Sequence, residues 1–125
     1  MPIEIHEHDD LVEFVCSGEL SALEIMAVSG NYHKVTPKKL ALWNLLEAQI
    51  SYFRAEHFPK VADKGAELGR LRGNGARNAI VVSTPDEHLL LKAYGSTASA
   101  VSSVEHDVFL DRDEAIAWLR QEGPA

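Results

Sequence analysis

Hydrophobic and polar positions divide the first part of the chain into two short segments. Residues 3–8 alternate between apolar and polar side chains, which is typical of a strand with one face in water. Residues 11–16 are more continuously apolar, and Asp9 and Asp10 between the two segments favour a turn. The pattern therefore predicts an antiparallel hairpin whose second strand is more buried than its first.

The stretch 77–87 combines a buried strand with the start of a helix. Residues 79–82 form an unbroken apolar run rich in β-branched side chains, as expected of a strand that is covered on both faces. Thr84 can cap a helix, Pro85 suits its first position, and Glu87 can reach back to the cap. A buried strand followed directly by a capped helix is half of a βαβ unit, so this stretch predicts an α/β fold.

Three further helices are predicted from capping residues and helical spacing. Ser21 and Glu24 form a capping-box pattern that begins the first helix. Residues 51–72 are the longest helical segment, in which Pro59 predicts a kink or a late start. Asp111 is the expected cap of the last helix.

The remaining boundaries depend on composition and on the alternation of elements. The helix that starts at Pro85 is predicted to end at Gly95, with the small polar residues 96–99 forming a loop. Leucine and alanine in residues 40–46 suit a helix by propensity, but the alternation of helices with strands favours a strand there. Residues 104–110 are predicted to form the last strand. The predicted order is β-β-α-β-α-β-α-β-α, in one α/β domain with a single, mostly parallel sheet and an antiparallel first strand.

Composition limits the function classes. The 125 residues, 46% hydrophobic and 25% charged, fit one globular domain, residues 1–125. No apolar run approaches the roughly 20 residues of a membrane span, and the start of the chain does not resemble a signal peptide. A formal charge of −7 disfavours nucleic-acid binding. We therefore expect a cytoplasmic protein without an integral membrane segment.

Two stretches of the chain resemble a known family. Residues 77–82, Arg-x-Ala-Ile-Val-Val, and residues 108–119, Val-Phe-x-Asp-x-Asp-Glu-Ala-x-Ala-Trp-Leu, resemble the end of the bacterial SpoIIAA-like domains. These share the fold of the STAS group, the sulphate-transporter and anti-sigma-factor-antagonist domains. The resemblance implies a right-handed βα superhelix with the hairpin at one edge of the sheet. It implies little about activity, because this branch consists largely of domains without an assigned role.

The STAS group also suggests one modification site. Anti-sigma-factor antagonists carry a phosphorylated serine, within an Asp-Ser turn, at the start of the helix that follows the third strand. The matching region here is residues 47–51, in which Ser51 lies slightly late and the Asp-Ser pair is missing. A serine-phosphorylated switch at Ser51 is thus one alternative that the resemblance leaves open.

A binding site is expected beyond the carboxyl ends of the parallel strands. Ligands of open α/β sheets gather there because helix N-termini present free N–H groups. Four polar side chains are predicted to rim such a crevice: Ser51, Ser83, Thr84 and His88. A small anionic or lipidic ligand is the expected occupant, although capping alone also explains Thr84.

Other chemistry-bearing residues have simpler explanations. His6 and His8 share one face of a strand and can chelate a cation, but no third ligand is identifiable, so no metal or other cofactor is predicted. Cys16, the single cysteine, lies in an apolar strand and is expected to be a buried, inert thiol. The segment 60–77 holds five basic residues, which suit either a solvated helix face or a docking face. Gly73-Asn74-Gly75 precedes a strand and therefore predicts a turn rather than a phosphate loop.

The sequence therefore predicts a non-enzymatic binding or regulatory module. It would dock a protein partner or a second copy of itself, or hold a small ligand at the strand ends. No catalytic residues are predicted, because the serines, histidines and cysteine form no recognisable nucleophile–base pattern. A small enzyme using the same crevice is the alternative.

Overall fold

The computed structural model describes residues 3–50 and 53–121. Five strands and four α-helices alternate along them. The strands are β1 (Ile3–Glu7), β2 (Leu11–Glu19), β3 (Leu40–Gln49), β4 (Arg77–Val81) and β5 (Glu105–Phe109). The α-helices are α1 (Ala22–Val35), α2 (Phe58–Arg72), α3 (Pro85–Val101) and α4 (Arg112–Arg120). The predicted order of elements is confirmed, including the strand assignment of the leucine-rich β3.

The strands form one sheet in the order of the sequence, β1-β2-β3-β4-β5. β1 pairs antiparallel with β2, with Ile3 opposite Cys16, and the other neighbouring strands are parallel. Each parallel pair is connected by one helix, which is how parallel strands are normally joined. The predicted α/β class and the antiparallel first strand are therefore confirmed.

The larger core lies between the sheet and helices α1, α2 and α3. Phe14 of β2 is fully buried and stacks on Trp43 of β3, with ring centroids 4.3 Å apart. Ile80 of β4 and Val108 of β5 extend the same layer. These four residues are register partners on neighbouring strands, so their side chains project from the same face of the sheet, towards the three helices.

A smaller core lies on the opposite face of the sheet, under α4. Leu11, Leu42 and Val81 from three neighbouring strands pack with Ala115 and Leu119 of the helix. β4 is apolar at successive positions because both of its faces are covered, as its unbroken apolar run predicts. Asp111 caps α4 as predicted, with its Oδ1 accepting from the backbone N–H of Glu114 at 3.0 Å.

One predicted helix boundary is wrong. α3 does not end at Gly95 but continues to Val101, so residues 96–99 are helical rather than a loop. Gly95 does not have a positive φ and therefore does not act as a helix terminator. The burial of Ala98 against the main core explains the extension, since the packing of its face outweighs the weak propensity of the small polar residues.

The helix predicted over residues 51–72 begins late. α2 starts at Phe58 after a short 3-10 turn at Ala55–His57, and Pro59 lies in its first turn. Proline is tolerated there because the N–H groups of the first turn have no partner within the helix. The sequence predicts either a kink or a late start at Pro59, and the structure shows the late start.

Candidate functional site

A cleft opens beyond the carboxyl ends of β3 and β4, where the sequence predicts a site. It has a volume of about 500 Å³, which lies within the range of small-molecule sites. We call it the strand-end cleft. Its lining comes from the end of β3 and the start of α3: Ala48, Gln49, Ile50, Ser83, Thr84, Asp86, Glu87 and Leu90. Two of the four predicted residues, Ser83 and Thr84, therefore lie in it.

Ser83 and Thr84 are organised by a single carboxylate. The Ser83 hydroxyl donates to Oε1 of Glu87 at 3.0 Å, and the Thr84 hydroxyl donates to the same oxygen at 3.1 Å. Oγ1 of Thr84 in turn accepts from the backbone N–H of Glu87 at 3.2 Å, so Thr84 is the predicted N-cap of α3. Both hydroxyls thus hold Glu87 at the rim of the cleft, and capping of α3 accounts for the contacts of Thr84 without a ligand.

The structure places His88 away from this group. Nε2 of its ring lies 3.2 Å from the carbonyl oxygen of Val108 on β5, and His88 does not line the cleft. A carbonyl oxygen only accepts, so Nε2 donates in this contact. The fourth predicted residue, Ser51, lies outside the described residues, and the predicted phosphorylation site lies there with it.

The charge of the strand-end cleft is acidic. Asp86 and Glu87 lie in its lining, and none of the described residues that line it is a lysine, arginine or histidine. An anion at the N-terminus of α3 would meet two carboxylates that already complement the helix dipole. Electrostatics therefore favours a cationic or hydrogen-bond-donating group at the polar side of the cleft.

The opposite side of the cleft is apolar. Ala48 and Ile50 are buried, and Leu90 is half-buried. Ile50 also lines a second, smaller cavity of about 50 Å³ inside the main core. The walls of that cavity are almost wholly apolar: Ile25, Trp43, Leu45, Ile50, Phe53, Val61, Ile80 and Leu91. Ile50 therefore stands between the cleft and an apolar space within the core.

A buried polar cluster on the α4 face was not predicted. Glu13 of β2 is only 3% exposed and is held by Arg112, which donates from Nε at 2.9 Å and from Nη2 at 2.6 Å. Asn44 Nδ2 donates to the same carboxylate at 3.0 Å. These contacts, with the Arg112 guanidinium first, lower the pKa of Glu13 to about 2. A charged residue within the apolar strand pattern of residues 11–16 was the available signal, because a buried charge needs a partner.

The two histidines of the first strand do not converge on a metal-like site. His8 Nε2 lies 3.6 Å from Oε1 of Glu13, whereas His6 Nε2 lies 3.8 Å from Oε2 of Glu4. In residues 3–50 and 53–121 there is no group of three His, Cys, Asp or Glu side chains that could hold a metal ion. His8 instead belongs to the edge of the Glu13 cluster.

Cys16 is buried, as predicted. Its thiol donates to the carbonyl oxygen of Phe14, at 3.6 Å, and is fully covered. Burial raises the pKa of this thiol to about 12, so it carries no thiolate at neutral pH. The predicted turn at Gly73 to Gly75 is also confirmed, since both glycines have positive φ angles of 88° and 84°.

The basic segment 60–77 does not form one continuous charged face. Arg72 is buried, and Arg77 lies 3.2 Å from Glu105 and donates to the carbonyl oxygen of Gln121 at 2.6 Å. Lys64 lies 3.7 Å from Glu67. Two of the five basic residues are therefore part of the structure's own framework rather than of a docking face.

Comparison with known proteins identifies the fold. A solved structure of an uncharacterised DUF3478-family protein from Shewanella loihica PV-4, described as having a SpoIIAA-like fold, is similar to this chain with a TM-score of 0.57. The similarity covers 94% of this chain and 91% of that one, at 20% sequence identity. The chain therefore has a SpoIIAA-like fold, as its resemblance to that family implies.

The other comparisons found nothing similar. No protein-family model matches the chain, and no curated protein matches it. In the described part of the chain, no helix is long and apolar enough to cross a membrane. The comparisons thus identify the fold and leave the function open.

Proposed function

We propose that this chain is a non-enzymatic binding module that holds a small amphipathic molecule in the strand-end cleft. The observation that supports this proposal is the pairing of an acidic rim with an apolar floor in one cleft of about 500 Å³. Glu87 would accept a hydrogen bond from the polar end of the ligand, while Ile50 and Leu90 would contact its apolar part. A site of this size and mixed chemistry is typical of small-molecule binding.

The charge of the rim supports one of the two ligand types that the sequence left open. A carboxylate repels an anionic head group and attracts an ammonium or hydroxyl group. We therefore assign the cleft to a lipid-like molecule with a cationic or donating head rather than to a small anion.

Binding is favoured over catalysis by the composition of the site. The hydroxyls of Ser83 and Thr84, the two in the described lining, are engaged by Glu87, and the imidazole of His88 contacts β5 instead. An activated nucleophile needs an adjacent base that is itself oriented by a third group, and the described lining residues do not supply that arrangement.

The proposal is tested by isothermal titration with two probes of equal chain length, octylamine and octanoate, at pH 7. We expect octylamine to bind at least about tenfold more tightly, because the two heads carry opposite charge next to Glu87. The Glu87→Gln variant should lose most of this preference.

Glu114→Gln is the matched control. Glu114 occupies the same position after the cap of α4 as Glu87 does after the cap of α3, but it is not one of the described residues that line the strand-end cleft. Equal affinity for the two probes, or an equal effect of both variants, would contradict the proposal. If neither probe binds, the small-ligand function is overturned, and native mass spectrometry of the intact protein would then examine a partner or a second copy.

A further inference from the structure

A second polar space lies inside the main core, between α1, α2 and the sheet. We call it the interior cavity; its volume is about 50 Å³, and it shares no lining residue with the strand-end cleft. Its polar lining residues come from β4 and the three helices on that face: Ser29, His33, Lys64, Arg72, Asn78 and Tyr94. Within residues 3–50 and 53–121, no aspartate or glutamate lines it.

Arg72 brings a positive charge into this space. The residue is 5% exposed, and its guanidinium donates to the carbonyl oxygens of Lys38 at 2.7 Å, Lys39 at 2.9 Å and Arg77 at 3.1 Å. In the described part of the chain it forms no ion pair with a carboxylate. Burial lowers its pKa to about 10, so it remains charged at neutral pH. A buried charge without a counter-charge is costly, and an anion would offset that cost.

His33 and Asn78 add polar atoms that lack partners among the described residues. His33 is 2% exposed, and its Nδ1 makes no hydrogen bond. Oδ1 of Asn78 is also buried and unpaired. Its Nδ2 lies 3.2 Å from Nε2 of His106, whose Nδ1 lies 3.0 Å from the carbonyl oxygen of Val104 and must donate to it. Nε2 of His106 therefore accepts, which fixes the orientation of the Asn78 amide.

Lys64 supplies a second cation at this cavity. A Cβ on Gly30 of α1 would lie 3.1 Å from Cε of Lys64, so glycine at this position lets the lysine stem lie across α1. The side chain of Lys64 retains 24% exposure, which leaves its charge partly in contact with water. Tyr94 adds a hydroxyl group. Lys64 Nζ also lies 3.7 Å from the Glu67 carboxylate, which does not line the cavity, so Arg72 is the cation without an acidic partner among the described residues.

We infer that the interior cavity is a binding site for a small monoanion of about the size of formate or nitrate. Arg72 and Lys64 would supply the charge, and Nδ1 of His33 would donate a hydrogen bond in the neutral tautomer that carries the proton on Nδ1. A water needs roughly 10–15 Å³ of such space, so 50 Å³ holds a small anion with a water that donates to Asn78. This inference is independent of the proposed function, because the two spaces are separate.

The test compares thermal unfolding of the intact protein in sodium formate and in sodium gluconate at equal ionic strength. Gluconate carries the same charge but is too large for the cavity. We expect formate to raise Tm in a saturable way, by roughly 5 °C at about ten times its Kd. Gluconate should leave Tm unchanged. Identical melting curves in the two salts would overturn the inference.

Two variants check that the effect comes from this cavity. Asn78→Asp places a carboxylate in the lining of the cavity that Arg72 also lines, which supplies an internal counter-charge and should abolish the formate effect while the protein stays folded. Lys64→Met should weaken formate binding about tenfold, whereas Lys60→Met, an exposed lysine one turn earlier on α2, should not. A formate effect that persists in folded Asn78→Asp would overturn the assignment.

Discussion

Glu13 shows at the scale of single residues how this chain accommodates a charge inside its sheet. Its carboxylate sits among the apolar side chains of β2 and is matched by the fork of Arg112, which lies 99 residues further along the chain. Bidentate pairing and the added bond from Asn44 satisfy the buried oxygens. The pair therefore joins the start of α4 to β2, the second strand of the sheet.

The lowered pKa of Glu13 makes a prediction about pH. Because the pKa falls from its ordinary 4.5 to about 2 on folding, the stabilisation is present above about pH 4.5 and is lost as the pH falls towards 2. We expect Glu13→Gln to lower the free energy of unfolding by roughly 2–3 kcal/mol at pH 7 and by much less near pH 2.5. Urea unfolding at the two pH values measures the difference. A destabilisation that does not change with pH would contradict the role of the ionised carboxylate.

At the scale of elements, α3 shows how packing overrides local preference. Gly95 is an interior residue of α3. Residues 96–99 continue the helix because Tyr94 and Ala98 are buried against the core. The hydroxyl of Thr97 donates a hydrogen bond to the carbonyl oxygen of Ala93 at 3.4 Å, so it has a partner within the helix. Tertiary contacts, rather than propensity, thus set the length of this helix.

The glycines of the chain offer a paired test of this interpretation. A Cβ added to Gly95 would lie 3.7 Å from Cβ of His106, an ordinary contact, so Gly95→Ala should stabilise the protein by about 0.5–1 kcal/mol. Gly75 has open space around it but a φ of 84°, so Gly75→Ala should destabilise by about 1 kcal/mol. Chemical denaturation of both variants measures the contrast. A destabilising Gly95→Ala would mean that the helix is strained there.

At the scale of the whole molecule, the sheet is covered unequally on its two faces. Three helices cover one face, whereas in the described part of the chain α4 is the helix that packs on the other. The smaller core therefore depends on a few side chains of α4, above all Leu119, which is 1% exposed. Loss of this packing would expose Leu11, Leu42 and Val81 to water.

This dependence predicts a large effect of Leu119→Ala. Removing a fully buried leucine side chain costs the transfer free energy and leaves a cavity, so we expect about 3 kcal/mol of destabilisation. Leu110→Ala is the matched control. Leu110 lies between β5 and α4 and is 50% exposed, so its replacement should cost less than about 1 kcal/mol. Equal effects in urea unfolding would show that α4 is dispensable for the sheet.

Local patterns were enough to place most of the elements and to identify the fold. Apolar alternation, capping residues and the central apolar run act between neighbours in sequence, so the hairpin, β4 and the caps at Thr84 and Asp111 could be predicted. They also led to the strand-end cleft with Ser83 and Thr84, because the carboxyl ends of parallel strands meet at one edge of the sheet.

Tertiary structure decided what depends on residues far apart in the chain. The extension of α3 past Gly95 follows from the burial of Ala98, and the direction of His88 follows from the position of β5. Arg112 reaches Glu13, and Arg72 enters a cavity without an acid, only because separate elements pack together. Burial and pairing are properties of the assembled core, so the charges that give the chain its candidate sites could not be assigned before the fold was known.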